Sequence, residues 1–170
     1  DHSSGSSTIY IGNADGTFQE PKVYETGDLP YAITLDYFDN DEILDLAVAH
    51  STDPGRVTIH RGDGQGGFTL QDEFEVSGRL IYIASADIDA EGSKDILVTR
   101  NEGDYASLFL NDGNGRFHGP EIKLQAQNRI YSSLVADLNS DAYPDFVSVD
   151  YSNNTLAIAL GKEPSVEDTE

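Results

Sequence analysis

The residues best placed to do chemistry are oxygen-bearing side chains at odd positions of a short acidic stretch. The clearest copy is Asp87-Ile88-Asp89-Ala90-Glu91-Gly92-Ser93-Lys94-Asp95, with oxygen at positions 1, 3, 5 and 9 and glycine at 6. Odd positions of a tight loop can point into one hollow, and glycine takes the positive φ that turns the chain back. Carboxylates gathered in this way repel one another unless a cation stands among them. Ca²⁺ is suited to that place, because it accepts roughly 6–8 oxygen ligands in forgiving geometry. The pattern recurs in Asp137-Leu138-Asn139-Ser140-Asp141-Ala142-Tyr143-Pro144-Asp145. A third version, Tyr37-Phe38-Asp39-Asn40-Asp41-Glu42-Ile43-Leu44-Asp45, keeps positions 3, 5 and 9, with Asp36 displaced one residue from position 1. The final aspartates Asp45, Asp95 and Asp145 are spaced 50 residues apart, the fixed period of a repeat architecture.

The elements that must hold these loops read as strands. Alternating or short continuous apolar runs are bounded by Gly, Asn, Asp and Pro, and no segment carries a sustained 3.6-residue apolar period. Thirteen strands are expected, over residues 8–12, 18–26, 31–36, 44–50, 56–61, 68–76, 80–86, 95–100, 105–110, 117–124, 130–136, 145–151 and 155–160. The expected fold class is therefore all-β, with β-propeller-type blades of four antiparallel strands and about three blades, a partial propeller. The divisions are a flexible lead-in 1–7, a half blade 8–29, blades 30–78 and 79–128, an incomplete blade 129–161 and a disordered tail 162–170. Glycine-rich turns ending in Phe18, Phe68 and Phe117 precede the last strand of successive blades, and each phenylalanine is expected to lock one blade on the next.

Composition narrows the function. The chain has 170 residues, a formal net charge of −21 and no cysteine, methionine or tryptophan. The charge argues against nucleic acid and anionic membrane as partners. Without cysteine there is no disulfide framework, zinc ribbon or thiol chemistry. No apolar run approaches the roughly 20 residues of a spanning helix, so membrane insertion is not expected. The opening on Asp1 suggests a processed chain or a piece of a longer one.

Together the D-x-[DN]-x-[DN]-G-x-x-D loop before an aliphatic strand and the G-[DN]-G-x-F hairpin resemble the FG-GAP/VCBS repeats of integrin α-subunit propellers. The resemblance covers about residues 8–161. It implies a loop that joins the first two strands of a blade and binds Ca²⁺, up to three ions here, in a secreted or extracellular module for recognition or adhesion. The implied ligands are Asp87, Asp89, Glu91, Asp95 and the Ser93 carbonyl in the second loop. In the third they are Asp137, Asn139, Asp141, Asp145 and the Tyr143 carbonyl. For the first loop they are Asp39, Asp41, Asp45 and the Ile43 carbonyl, with Asp36 reaching in only if the loop bulges. Ala142 stands where glycine is usual, at a cost of about 1 kcal/mol if positive φ is required.

Rival readings fare worse. An EF-hand needs a bidentate Glu at position 12, where the three loops carry Val48, Val98 and Ser148. Arg61-Gly62-Asp63 matches an integrin-recognised tripeptide but reads as a chance variant of the repeated turn. Asn153-Asn154-Thr155 is a glycosylation sequon of little weight. His2, His50, His60 and His118 are scattered, no nucleophile motif is present, and paired carboxylates sit at cation spacing in repeated turns, so an enzyme is not expected. The partner is a protein or glycan of unknown identity. A lectin-like propeller and a structural spacer beside an enzyme are the alternatives. Too few strands are present to close a ring, so the chain is expected to be a slice of a longer propeller or to self-associate.

Overall fold

The computed structural model describes residues 5–101, 103, 105–117, 119–125, 130–150 and 153–162. Every regular element among them is a strand, thirteen in all. In chain order these are β1 (Ser6–Ile9), β2 (Lys22–Glu25), β3 (Pro30–Asp36), β4 (Asp45–His50), β5 (Gly55–Gly62), β6 (Phe68–Val76) and β7 (Leu80–Ala86). There follow β8 (Asp95–Arg100), β9 (Tyr105–Phe109), β10 (Ile122–Gln125), β11 (Ile130–Ala136), β12 (Asp145–Asp150) and β13 (Thr155–Ala159). They form the four-stranded sheets β3-β4-β5-β6 and β7-β8-β9-β10, the three-stranded sheet β11-β12-β13 and the hairpin β1-β2. All pairs are antiparallel between chain neighbours, which is the blade plan expected of a partial propeller.

The repeat extends to the register. Asp36 faces Asp45, Ala86 faces Asp95 and Ala136 faces Asp145, so each acidic loop opens and closes at the same rung. Each first strand also carries an extra residue near its start, between Pro30 and Ala32, Leu80 and Tyr82, and Ile130 and Ser132. Strands β4 and β8 are buried along their whole length. Their runs Leu46-Ala47-Val48-Ala49 and Ile96-Leu97-Val98 are continuous rather than alternating because both faces of each strand are covered. One core of Phe38, Ala49, Ile59, Ile83, Val98 and Phe117 joins the first two full blades, and a smaller one of Leu97, Ala106, Ile130 and Phe146 joins the second to the third.

Several boundaries differ from expectation for local reasons. Ser6 and Ser7 belong to β1 rather than to a lead-in. β2 and β10 begin only after Pro21 and Pro120, each of which removes a ladder donor. β6 has no proline before it and runs unbroken from Phe68. The three turn phenylalanines therefore diverge. Phe117 is buried, with its ring 5.8 Å from Phe74 and 5.9 Å from Phe38. Phe68 meets Tyr24 edge-on at 5.9 Å, whereas Phe18 is 65% exposed and touches only Tyr10 among the ring contacts. Residues 1–4 of the lead-in, residues 126–129 at the end of the second full blade, Tyr151 and residues 163–170 of the tail lie outside the described residues, as do His2 and His118.

Candidate metal centre

Each acidic loop is built around its last residue. Asp45, Asp95 and Asp145 are fully buried at the first rung of a central strand. One carboxylate oxygen accepts the amide at loop position 2: Phe38 at 3.0 Å, Ile88 at 2.8 Å and Leu138 at 2.7 Å. The other accepts an amide at or just past the end of the third strand: Gly62 at 2.9 Å, Asn111 at 3.0 Å and Gly161 at 2.8 Å. One side chain thus ties the start of the loop to the far hairpin. The turn itself depends on left-handed backbone at position 4, with φ of 62° at Asn40, 62° at Ala90 and 63° at Ser140. Position 6 is also left-handed at Gly92 and Ala142, with φ of 94° and 73°, but not at Glu42. The conformational cost anticipated for Ala142 is therefore incurred, at about 1 kcal/mol.

At the hairpin end two solutions appear. A Cβ on Gly62 or Gly161 would collide with the carbonyl at loop position 8, Leu44 or Pro144. In the second blade Asn111 stands there instead and donates from Nδ2 to the Lys94 carbonyl at 3.0 Å and to Phe38 O, in the preceding blade, at 2.9 Å. Its Oδ1 accepts the amides of Gly113 and Gly115, both at 3.1 Å. Asn111 is buried and fully bonded, so it fastens two blades through one amide.

The structure brings two acidic groups together. Asp39, Asp41 and Asp45 each offer an oxygen within 4.8 Å of the others, and so do Asp87, Asp89 and Asp95. An ion about 2.4 Å from each ligand sets oxygens at most roughly 4.8 Å apart, so both groups have the right span for a divalent cation. The second group fits best. Asp87 Oδ1 is buried with no hydrogen-bond partner among the described residues. Burial pushes the Asp95 carboxyl up to about 6, partly offset by its two amide bonds, with Asp89 and Asp87 adding repulsion. Burial raises Asp45 in the same way.

The first group has a counter-charge. Arg61 Nε lies 2.9 Å from Asp39 Oδ2 and its Nη2 2.9 Å from Asp41 Oδ2. The Arg61 hydrogen bond, then the Ile43 amide, holds Asp41 below the usual carboxylate range. Asp36 is not in the close group: its Oδ2 accepts from Ser85 Oγ of the next blade at 2.9 Å and its Oδ1 from the Tyr37 amide. Ile43 and Tyr143 enter through their amides, which donate to Asp41 and Asp141 at 2.8 and 2.9 Å.

The third loop is arranged differently. Asp137 accepts the amides of Ser140, Asp141 and Ala142, and Asn139 donates to Asp141 Oδ2 at 2.8 Å. Its carboxylates cap the turn and do not form a third close group. In the second loop Glu91 is exposed and outside the group, lining a shallow cleft with Asn40 and Asp112, while the Ser93 hydroxyl donates to the Asn111 carbonyl.

The Arg61-Gly62-Asp63 tripeptide is exposed at Arg61 and Asp63 but tethered through all three residues. Arg61 grips the first loop, Gly62 donates to Asp45, and Asp63 Oδ1 accepts the amides of Gln65 and Gly67 at 2.7 Å each. Two histidines that look scattered in sequence share one hydroxyl. His50 Nδ1 donates to Asp28 O at 2.8 Å, so its Nε2 accepts from Thr58 Oγ1 at 3.0 Å, and His60 Nε2 donates to the same oxygen at 2.9 Å. Burial lowers both imidazoles. With these nitrogens engaged, the pair is a packing device rather than a ligand set.

The FG-GAP-like repeat matches twice, over residues 37–98 and 87–148. The chain belongs to the FG-GAP-like repeat family. Each match runs from one acidic loop into the second strand of the following blade, and the two matches start 50 residues apart, the spacing of the acidic loops. A search of curated proteins found no match.

Proposed function

We propose that this FG-GAP-like chain is a calcium-pinned, non-catalytic propeller segment used for recognition or adhesion outside the cell. The observation that carries the reading is the second loop, where Asp87, Asp89 and Asp95 converge within 4.8 Å and Asp87 Oδ1 has no partner. A bound Ca²⁺ would supply positive charge at the centre of that group. Asp95 already holds the loop to the hairpin, Asp89 fixes the turn by accepting the Glu91 amide, and Asp87 accepts the Gly92 amide through its other oxygen. A half-exposed loop with only three converging carboxylates suits the weak affinities of extracellular calcium modules, roughly 10⁻⁴–10⁻³ M. The third loop carries the same ligand types and is the next candidate.

The partner in this reading is a protein or glycan. Self-association has a physical basis too: β13 ends the described part of its sheet, and Leu156, Ile158 and Leu160 are exposed on or beside it. Thermal melting in calcium and in chelator tests the central claim. At a free calcium concentration of about 100 times Kd the stabilisation is about 2.7 kcal/mol, or roughly 5–10 °C for a chain of this size. Identical melting curves in the two conditions would refute calcium pinning.

A further inference from the structure

We infer that Arg61 is the resident cation of the first loop, so that this loop is closed by a guanidinium instead of a divalent ion. Position 1, an aspartate in the other loops, is Tyr37, so the three converging carboxylates stand at positions 3, 5 and 9 rather than at 1, 3 and 9 as in the second loop. Arg61 meets two of them in a forked contact, Nε on Asp39 and Nη2 on Asp41, both at 2.9 Å. A planar guanidinium is suited to bridging two carboxylates and stays charged at every physiological pH.

Comparison between blades makes the argument specific. Arg61 immediately precedes the residue whose amide donates to the position-9 aspartate, Gly62. The same place in the other two blades is Leu110, before Asn111, and Leu160, before Gly161. Neither leucine can neutralise a loop. Among the described residues no cationic side chain pairs with Asp87, Asp89 or Asp95, and an oxygen of Asp87 is left unsatisfied. The first loop has lost a carboxylate and gained a fixed positive charge, whereas the second retains both the carboxylate and an unmet demand for charge. An ion entering the first loop would have to displace the guanidinium from Asp39 and Asp41 together.

The inference uses the calcium reading only for its readout, and the test separates the two. Calcium chloride is titrated calorimetrically into the full chain and its variants Asp41→Asn, Arg61→Leu, Arg61→Leu with Asp41→Asn, and Asp87→Ala. The expected result is that Asp41→Asn leaves the number of bound ions unchanged, while Arg61→Leu gains one ion per chain and the double variant loses it again. Loss of an ion in Asp41→Asn alone overturns the inference, because the wild-type loop would then already hold one, and this arm does not depend on the folding of Arg61→Leu. No gained ion in a folded Arg61→Leu overturns it too, provided the second loop of the same protein titrates calcium. Asp87→Ala reports on the second loop alone: an unchanged titration there refutes calcium at that loop. If no variant binds calcium, melting in chelator decides for Arg61. Non-additive shifts for Arg61→Leu and Asp41→Asn, shrinking as sodium chloride rises, support the resident cation, and additive shifts overturn it.

Discussion

Asp89→Ala and Asp95→Ala in the same loop should respond to calcium in different ways, because one residue bears on charge and the other also on scaffold. Asp95 accepts two backbone amides, from Ile88 at 2.8 Å and Asn111 at 3.0 Å, on a fully buried carboxylate. Stranding a buried donor costs about 1–3 kcal/mol, so two cost about 2–6 kcal/mol. Part of this is offset, since the charge of Asp95 is itself disfavoured: its carboxyl is pushed up to about 6 from 3.8. That shift corresponds to about 3 kcal/mol at face value, and to about 2 kcal/mol after allowance for screening by solvent at the loop mouth. The net loss for Asp95→Ala without any ion is then about 2 kcal/mol, or roughly 4–8 °C in Tm. Asp89 accepts one exposed amide bond, from Glu91 at 3.2 Å, and its charge raises Asp95 further. Asp89→Ala in chelator should therefore melt at or slightly above the wild-type temperature, and in saturating calcium below it. Differential scanning calorimetry of the three proteins in chelator and in calcium reads both effects. An Asp89→Ala penalty of equal size in the two conditions would show that the loop is an ordinary hydrogen-bonded turn. An Asp95→Ala variant with undiminished stability in chelator would refute the scaffold argument.

Asn111→Ala removes an amide that bonds across two blades and should cost about 2–4 kcal/mol by urea denaturation. Phe117→Ala should cost about 3–5 kcal/mol, whereas Phe18→Ala, at an exposed ring, should fall within about 0.5 kcal/mol of wild type. His50 and His60 have folded pKa values below the unfolded 6.5, so the unfolded state binds protons first. Their contribution is intact above pH 6.5 and declines as pH falls through the lowered folded values; His60→Gln should flatten that slope in calcium-saturated protein. Asp95 acts oppositely in ion-free protein: its raised pKa favours the fold below 3.8, and this benefit is lost as pH rises through about 6. Urea melts at pH 5 and 7 should therefore show a higher relative stability at pH 5 for wild type than for Asp95→Ala, both in chelator.

Much of the blade plan was legible because it is local. Apolar runs between Gly, Asp and Pro signals mark the strands, and aspartates 50 residues apart mark the repeat. What the sequence concealed depends on contacts between segments. Nothing in Arg61 itself announces a partner, although its alignment with Leu110 and Leu160 was available as a signal. Asn111 stands where the other turns have glycine, a departure that pattern matching treats as equivalent. Thr58 is diagonal to His50 once His50 is paired with Arg56, and His60 lies two residues further along the same face, so their meeting follows from a register that was not drawn. The late starts of β2 and β10 follow from Pro21 and Pro120 and were legible in principle.

The placement of the position-9 aspartates suggests why a chain would keep buried carboxylates near others of like charge. An aspartate at the first rung of the central strand can satisfy two amides that belong to different segments, the loop entrance and the hairpin exit. An alanine there would leave both unpaired, and an asparagine would present a donor to one of them. The carboxylate is thus the acceptor the scaffold needs, and its charge is the difficulty that accompanies it. Each loop meets that difficulty differently: Arg61 supplies a cation from the protein in the first, Asp87 and Asp89 bring oxygens to a common centre in the second, and Asp137 and Asp141 spend theirs on turn amides in the third. A repeat conserved in backbone geometry can therefore differ from copy to copy in how its charge is balanced, and the dependence on calcium should be sought loop by loop rather than assigned to the family as a whole.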